Sequence, residues 1–320
     1  MPDVTAALPS VPLADHPTPV EELPRLRDAL GGGPRLLVKR DDTIGFAFGG
    51  NKVRKMRLVA ADAQRQGADT LITSGGIQSN HARVTAAAAA KLGMRCVLIA
   101  NGTPPSRPTA NALLDALLGA EVRYVADRTQ RASAMEAAGA ELRALGRRPY
   151  LIPIGASTPL GAAAFVRAVH ELLTQIDPPD LIIHSTSSGG TQAGLVAGCA
   201  LAGIATRVVG ISADETSADL TREIRSIMGG LPQLLGIEPG ALASATFEVD
   251  DRFVGGGYGI ATRESEEAIE LMARTEAIFL DPTYTAKAAA GLIARWRARE
   301  FSAARTVLFW HTGGQVGLFA

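Results

Sequence analysis

The chain has 320 residues, 47% of them hydrophobic and 20% charged, with 32 basic and 32 acidic side chains. That length exceeds a single small core and asks for one large domain or two interleaved ones. A net charge of zero with scattered basic residues argues against nucleic acid or an anionic membrane as the main partner, and no apolar run is long enough to span a bilayer.

Taken in chain order, Met1-Pro2-Asp3-Val4 shows neither a basic n-region nor an apolar h-region, so no secretion signal is read. Residues 8–24 are rich in proline and read as an extended arm leading into the first helix. Strand-like apolar runs follow at 36–38, 70–73, 96–99, 122–125, 181–184, 207–211 and 307–310. Between them lie Ala/Leu/Arg-rich stretches such as 82–92 and 131–145, whose apolar positions recur at three and four residues. Strands buried on both faces and separated by helices predict an α/β fold with a mostly parallel, doubly wound sheet. Candidate boundaries near residue 50 and at Pro153, Gly155 and Pro159 suggest a small domain of 51–159 and a larger one of 1–50 with 160–320, with a cleft between them. Cys96 and Cys199, alone in apolar surroundings, read as buried residues of a reducing, cytoplasmic protein.

Lys52 is the most informative residue. The chain holds five lysines among 32 basic residues, so arginine already covers ordinary surface charge. An amine that must shed its proton and become a nucleophile cannot be arginine. Lys52 follows Gly49-Gly50-Asn51, and the glycines let the backbone approach a flat ligand. The bland alternative is a solvated basic helix start.

Polar, glycine-rich turns follow the strands. Ser74 to His81 precedes an Ala-rich helix, where exposed N–H groups suit a carboxylate. Plain capping is the alternative, but it needs one of the consecutive residues Gln78, Ser79 and Asn80 and leaves two unexplained. Ser185 to Gly194 is a hydroxyl-rich turn into an apolar helix, a cradle for phosphate that is neither a P-loop nor GxGxxG. Two of the four tyrosines, Tyr258 and Tyr284, fall in Gly- or Pro-marked turns, where a phenol serves as acid, base or stacking partner or merely edges the core. His16 and His170 read as surface or helix-face residues. No histidine pair has ligand spacing with a third donor, so no metal site is expected.

Together these segments resemble the pyridoxal-phosphate enzymes of fold type II, in the branch holding D-cysteine desulfhydrase and 1-aminocyclopropane-1-carboxylate deaminase. The resemblance runs from His16-Pro17-Thr18-Pro19-Val20-Glu21 to His311-Thr312-Gly313-Gly314, and its most specific parts are 49–55, 78–81, 188–194 and 281–287. It implies a tryptophan synthase β-like architecture with pyridoxal 5'-phosphate in the interdomain cleft, carried covalently by Lys52. Lys55 matches a residue reaching the phosphate, and Ser188, Gly189, Gly190 and Thr191 match the phosphate loop. Asn80 matches the partner of the ring 3-hydroxyl, Ser79 the seat of the substrate carboxylate with His81 beside it, Tyr258 and Tyr284 two active-site tyrosines, and Thr285 the contact to the pyridine nitrogen. Thr285 stands where cyclopropane deaminases have Glu, which favours β-elimination over ring opening. Ser187 and the segment Ala156-Ser157-Thr158-Pro159 depart from the usual pattern, and Thr158 near the domain junction puts the choice of substrate in question.

The resemblance therefore implies a desulfhydrase- or deaminase-type lyase acting on a small amino acid such as D-cysteine, working as a homodimer in amino-acid catabolism. Cyclopropane-carboxylate deamination and L-cysteate desulfonation are alternatives on the same scaffold. A non-catalytic cofactor- or amino-acid-binding protein is the alternative of another class.

Overall fold

The computed structural model describes residues 3–14 and 17–320; His16, where the family resemblance begins, lies outside them. Two sheets organise the chain. The larger has strands β1 (Val20–Glu22), β2 (Arg35–Arg40), β7 (Leu181–Thr186), β8 (Arg207–Ser212), β9 (Glu248–Asp250) and β10 (Thr306–His311), in the order β1-β2-β10-β7-β8-β9. The smaller has β3 (Thr70–Gly76), β4 (Arg95–Asn101), β5 (Glu121–Val125) and β6 (Pro149–Ile152), in the order β5-β4-β3-β6. Every pairing is parallel except β1 with β2. The predicted strands are all present, and β1, β6 and β9 are additions.

The helices are α1 (Pro24–Ala29), α2 (Asn51–Arg65), α3 (Asn80–Leu92), α4 (Ala110–Leu117), α5 (Arg131–Ala144), α6 (Pro159–Leu173), α7 (Gly190–Leu201), α8 (Ser217–Leu235), α9 (Arg263–Glu276) and α10 (Thr285–Arg297). Parallel strands need crossovers, and helices fill that role on both faces.

The two-residue period of a strand sorts the core. Leu37, Ile182, Val208, Leu308 and Trp310 face one way and pack with α6, α7 and α8. Their neighbours Leu36, Val38, Ile183, Val209, Val307 and Phe309 face the other way, against α1, α9 and α10. In the small sheet Leu71, Cys96, Leu98 and Ile152 meet α2 and α3, while Ile72, Val97 and Ile99 meet Ala138 and Leu142 of α5. Both cysteines are buried and free. His170 is exposed on α6, as read from the sequence. Among the described residues no helix is long and apolar enough to cross a membrane.

A largely buried charged cluster lies under the start of α2. Arg54 bonds Asp41 at 2.8 and 2.9 Å and Glu171 at 2.9 and 3.0 Å. Lys39 reaches Glu171 at 2.6 Å, and the Trp310 indole donates to Asp41 at 2.8 Å. Burial alone would raise the Glu171 carboxyl, but Arg54 and Lys39 overcome it and hold the group at about 2. These bonds tie α2 to Asp41 in the turn after β2, to α6 and to β10, and so fix the helix that carries Lys52.

Candidate active site

Parallel sheets bind ligands beyond the carboxyl ends of their strands. Here the turns after β3, β6, β7, β8 and β10 open on one cavity of about 670 Å³, a size suited to a small molecule. Its wall includes Lys52, Ser79, Asn80, His81, Ser188, Gly189, Thr191, Tyr258 and Tyr284. Nine of the twelve residues singled out from the sequence therefore meet in one place. Lys55, Gly190 and Thr285 stand outside the wall itself.

Lys52 is the second residue of α2. Its amine has no hydrogen bond or ion pair with any described residue, and burial lowers its pKa from 10.5 to about 8. A carbon placed on Gly155 in the Cβ position would lie 3.3 Å from Lys52 Nζ and 2.4 Å from Ser188 Oγ. The amine and the 188–191 turn thus face each other across a gap that only glycine leaves open; Gly155 is also at φ +67°.

The turn itself is built of hydroxyls. Ser188 Oγ lies 2.7 Å from Ser157 Oγ, which also accepts from Gly190 N at 3.3 Å. Asn51, next to Lys52, donates its amide to Thr191 Oγ1 at 3.0 Å, leaving the Thr191 proton available to a ligand. Gly189 caps α7 in the left-handed region, φ +74°, and the first N–H groups of that helix point past it. Lys55 Nζ is fully buried behind this turn, donating to Gly155 O at 3.1 Å and Ser157 Oγ at 3.3 Å. Burial and the nearby Lys52 push its pKa well below 10.5. Ser185 Oγ and Thr186 Oγ1 line the cavity, are buried, and have no partner among the described residues.

The opposite wall is the start of α3. Ser79 is the N-cap, accepting from Ala82 N at 3.2 Å. Its neighbours are not idle, contrary to the sequence expectation. Gln78 accepts from Asn111 N at 2.9 Å and donates to Thr109 O, and Asn80 Oδ1 accepts from Arg83 and Asn111, each at 2.9 Å. Their polarity is thus explained in part by docking of the 109–111 segment, which comes from far along the chain and left no mark near residue 78. His81 bonds Thr73 Oγ1 at 2.9 Å through Nε2, while its buried Nδ1 has no partner among the described residues. Burial, with Lys52 and Lys55 adding to it, holds His81 well below 6.5, so the ring is neutral.

Tyr258 and Tyr284 close the cavity as a pair, their hydroxyls 2.6 Å apart. The Tyr258 ring lies 3.4 Å from where a Cβ on Gly76 would sit, at the end of β3. Burial raises the pKa of both phenols, Tyr284 most strongly, so both keep their protons at neutral pH. Thr285 is fully buried and does not reach the cavity wall. Its hydroxyl donates to Asp281 Oδ1 at 2.7 Å and accepts from Asp281 N at 2.8 Å. Thr158 likewise turns out to cap α6, accepting from Gly161 N at 3.2 Å, and it is Ser157 that faces the cavity.

Sequence reasoning missed four contributors. Ser157 was quoted only as a departure from a pattern, and Arg83, which reaches Gly49 O at 3.0 Å and so braces the turn before Lys52, sits in an unremarkable Ala-rich helix. Arg128 and Arg131 stand at the cavity mouth in a segment with no motif; Arg128 pairs with Glu215.

The residues fit pyridoxal 5'-phosphate. Unpartnered hydroxyls, a glycine-capped helix start and a buried amine suit a phosphate, and a free amine of lowered pKa suits an aldehyde. The comparisons agree with this fit. Residues 11–313 match the family described as "Pyridoxal-phosphate dependent enzyme". D-cysteine desulfhydrases from two strains of Klebsiella pneumoniae are each 38% identical over 320 residues, covering 98% of this chain and 96% of theirs. A crystal structure of an ACC deaminase homologue superposes with a TM-score of 0.92 at 35% identity, over 100% of this chain and 97% of the other. Threonine deaminase isoform 2 from Solanum lycopersicum, at 17% identity, TM-score 0.70 and coverage of 98% and 82%, shares the fold. The chain belongs to the pyridoxal-phosphate dependent enzymes, in their fold type II architecture.

Proposed function

We propose that the protein catalyses β-elimination on a small amino acid such as D-cysteine, releasing a keto acid and ammonia. One observation carries the reading: an unpartnered amine of lowered pKa, Lys52, shares a cavity with a hydroxyl-lined turn able to grip a phosphate. The D-cysteine desulfhydrases at 38% identity support the choice of substrate.

When bound, the cofactor supplies an electron sink for negative charge at the substrate Cα. Ser188, Gly189, Gly190 and Thr191 hold its phosphate, and Lys55 lies behind them as an amine that a phosphate's charge would keep protonated. Asn80, on the cavity wall, would bond the ring hydroxyl. The family resemblance would make Thr285 the neutral partner of the ring nitrogen, a role that requires its hydroxyl to give up the bond it donates to Asp281; Asp281 would keep the N–H groups of Thr283, Tyr284 and Thr285. Ser79 and the first N–H groups of α3 receive the substrate carboxylate, with neutral His81 beside them. Lys52 is the base that takes the α-proton from Cα. The Tyr258–Tyr284 pair, protonated at neutral pH, donates to the group leaving Cβ. The C–H electrons form the Cα–Cβ double bond as the Cβ–S bond breaks, and water completes the release of keto acid and ammonia.

The reading extends to a homodimer working in the cytoplasm in amino-acid catabolism, on the strength of the family resemblance. It also takes residues 51–159 as a small domain and 1–50 with 160–320 as a large one, supported by the two sheets, whose strands fall wholly within those spans.

A panel of D- and L-amino acids tests the proposal through keto-acid release. D-cysteine and its β-substituted analogues are expected to turn over, and Lys52→Ala to lower kcat by about 10²–10⁴-fold. Turnover of 1-aminocyclopropane-1-carboxylate or L-cysteate alone would overturn the substrate assignment. Cofactor binding with no turnover of any amino acid would leave a binding protein.

A further inference from the structure

Lys287 is the one lysine of the 281–287 motif, and nothing in the reaction just described uses it. It sits on α10, three residues after Tyr284, and is fully buried. Each of its three ammonium protons has an acceptor: Ala213 O at 2.9 Å, Val254 O at 2.8 Å and Gly257 O at 2.7 Å. No carboxylate of the described residues pairs with it; Asp214 and Asp281 act on it only through space, and burial lowers its pKa.

Three main-chain oxygens around a buried ammonium form a cation cage. The cost of desolvating such a charge is large, and a leucine could fill the space without it, so the ion–dipole contacts call for a purpose. Their sources give one. Ala213 lies just past the end of β8, while Val254 and Gly257 belong to the glycine-rich turn that carries Tyr258. Gly257 stands at φ +118°, a conformation L side chains rarely adopt, and its carbonyl accepts from Lys287. One side chain thus binds the turn bearing Tyr258 to the helix that follows Tyr284, and the two tyrosine hydroxyls lie 2.6 Å apart.

We propose that Lys287 is the positioning residue for the tyrosine pair, acting as a built-in monovalent cation that clamps the 254–257 turn onto α10. The inference rests on the catalytic reading of that pair. Removing the side chain would leave a cage of carbonyls that a small free cation can fill, so the loss should be chemically reversible.

The test uses the holoenzyme with D-cysteine and three variants: Lys287→Ala, Lys287→Met, which keeps the apolar stem, and Tyr258→Phe. Lys287→Ala is expected to retain the cofactor's visible band and to lose roughly tenfold or more in kcat. Ammonium or ethylammonium chloride should restore kcat with saturation, and tetramethylammonium chloride, too large for the cage, should not. Lys287→Met should show the same loss without rescue, because its stem blocks the space. Adding Tyr258→Phe to Lys287→Ala should cost little beyond Tyr258→Phe alone, since two residues acting through one group are not additive. Full activity in Lys287→Ala, or loss that is additive with Tyr258→Phe, would overturn the inference. So would loss of the visible band or of the fold in both Lys287 variants without recovery in ammonium, which would make Lys287 a general stabiliser. Unchanged activity in Tyr258→Phe itself would instead overturn the catalytic reading of the pair.

Discussion

At the scale of single residues, the chemistry depends on Lys52 being neutral when it must react. Burial lowers its pKa to about 8 and no anion opposes the shift, so the fraction of free amine rises steeply between pH 7 and 9. Capture of pyridoxal phosphate by apoprotein should accelerate as pH rises through about 8 and level off above it, which stopped-flow absorbance would follow. The same shift has a thermodynamic sign. Below pH 8 the folded and unfolded chains both bind this proton, and the cost of burying the charge is fully present. Between 8 and 10.5 the unfolded chain binds more protons than the folded one, so this group makes the apoprotein more stable as pH rises. Gly155 matters at the same scale. Gly155→Ala would place a methyl 2.4 Å from Ser188 Oγ at a positive φ, a strain of about 1–3 kcal/mol. It is expected to weaken cofactor binding at least tenfold, measured by equilibrium dialysis, while the far-ultraviolet spectrum is unchanged.

At the scale of elements, the long strands and helices were legible because their apolar pattern is dense. The interior strands β2, β3, β4, β7, β8 and β10 carry runs that only a two-sided core explains. The short strands were not legible: β1 and β9 have three residues each and β6 four, the last beginning with Pro149. Such segments hold too few residues to show a period, and their pairing is set by neighbours distant in sequence. The turns were legible for the same reason that they work, since Ser185–Gly194 joins hydroxyls to glycine at a helix start. What could not be read was which polar side chains are spent elsewhere. Thr285 looked available and is bonded to Asp281; Gln78 looked spare and holds residues 109–111. The charged cluster that seats α2 yields a stability prediction. Glu171→Ala leaves Lys39 and part of Arg54 uncompensated and should cost about 3–5 kcal/mol in urea unfolding. Because the folded-state carboxyl is held at about 2, below its usual 4.5, the wild-type contribution is complete above pH 4.5 and fades as pH falls toward 2. A loss in the variant that did not shrink over that acid range would contradict this account of the cluster.

At the scale of the whole molecule, the chain leaves the large sheet after β2, builds the small sheet, and returns at β7. Crossing between the sheets at 41–51 and 153–159 brings both Lys52 and Ser157 to the same cavity as the 188–191 turn, although some 140 residues separate that turn from Lys52. No local pattern could have shown this meeting; it came into view only through the family resemblance, whose motifs span both sheets. Contacts that join the two halves at the site include Asn51 with Thr191, Ser157 with Ser188 and Gly190, Arg128 with Glu215, and the ring of Tyr258 over Gly76.

The central claim is that the amine of Lys52, and no other, takes the aldehyde of the cofactor. Purified protein incubated with pyridoxal phosphate, reduced with borohydride and digested would be mapped by mass spectrometry. The account predicts one phosphopyridoxyl group per chain, on the peptide containing Lys52 and localised to that residue. A group on Lys55 or Lys287, or none at all, would contradict it.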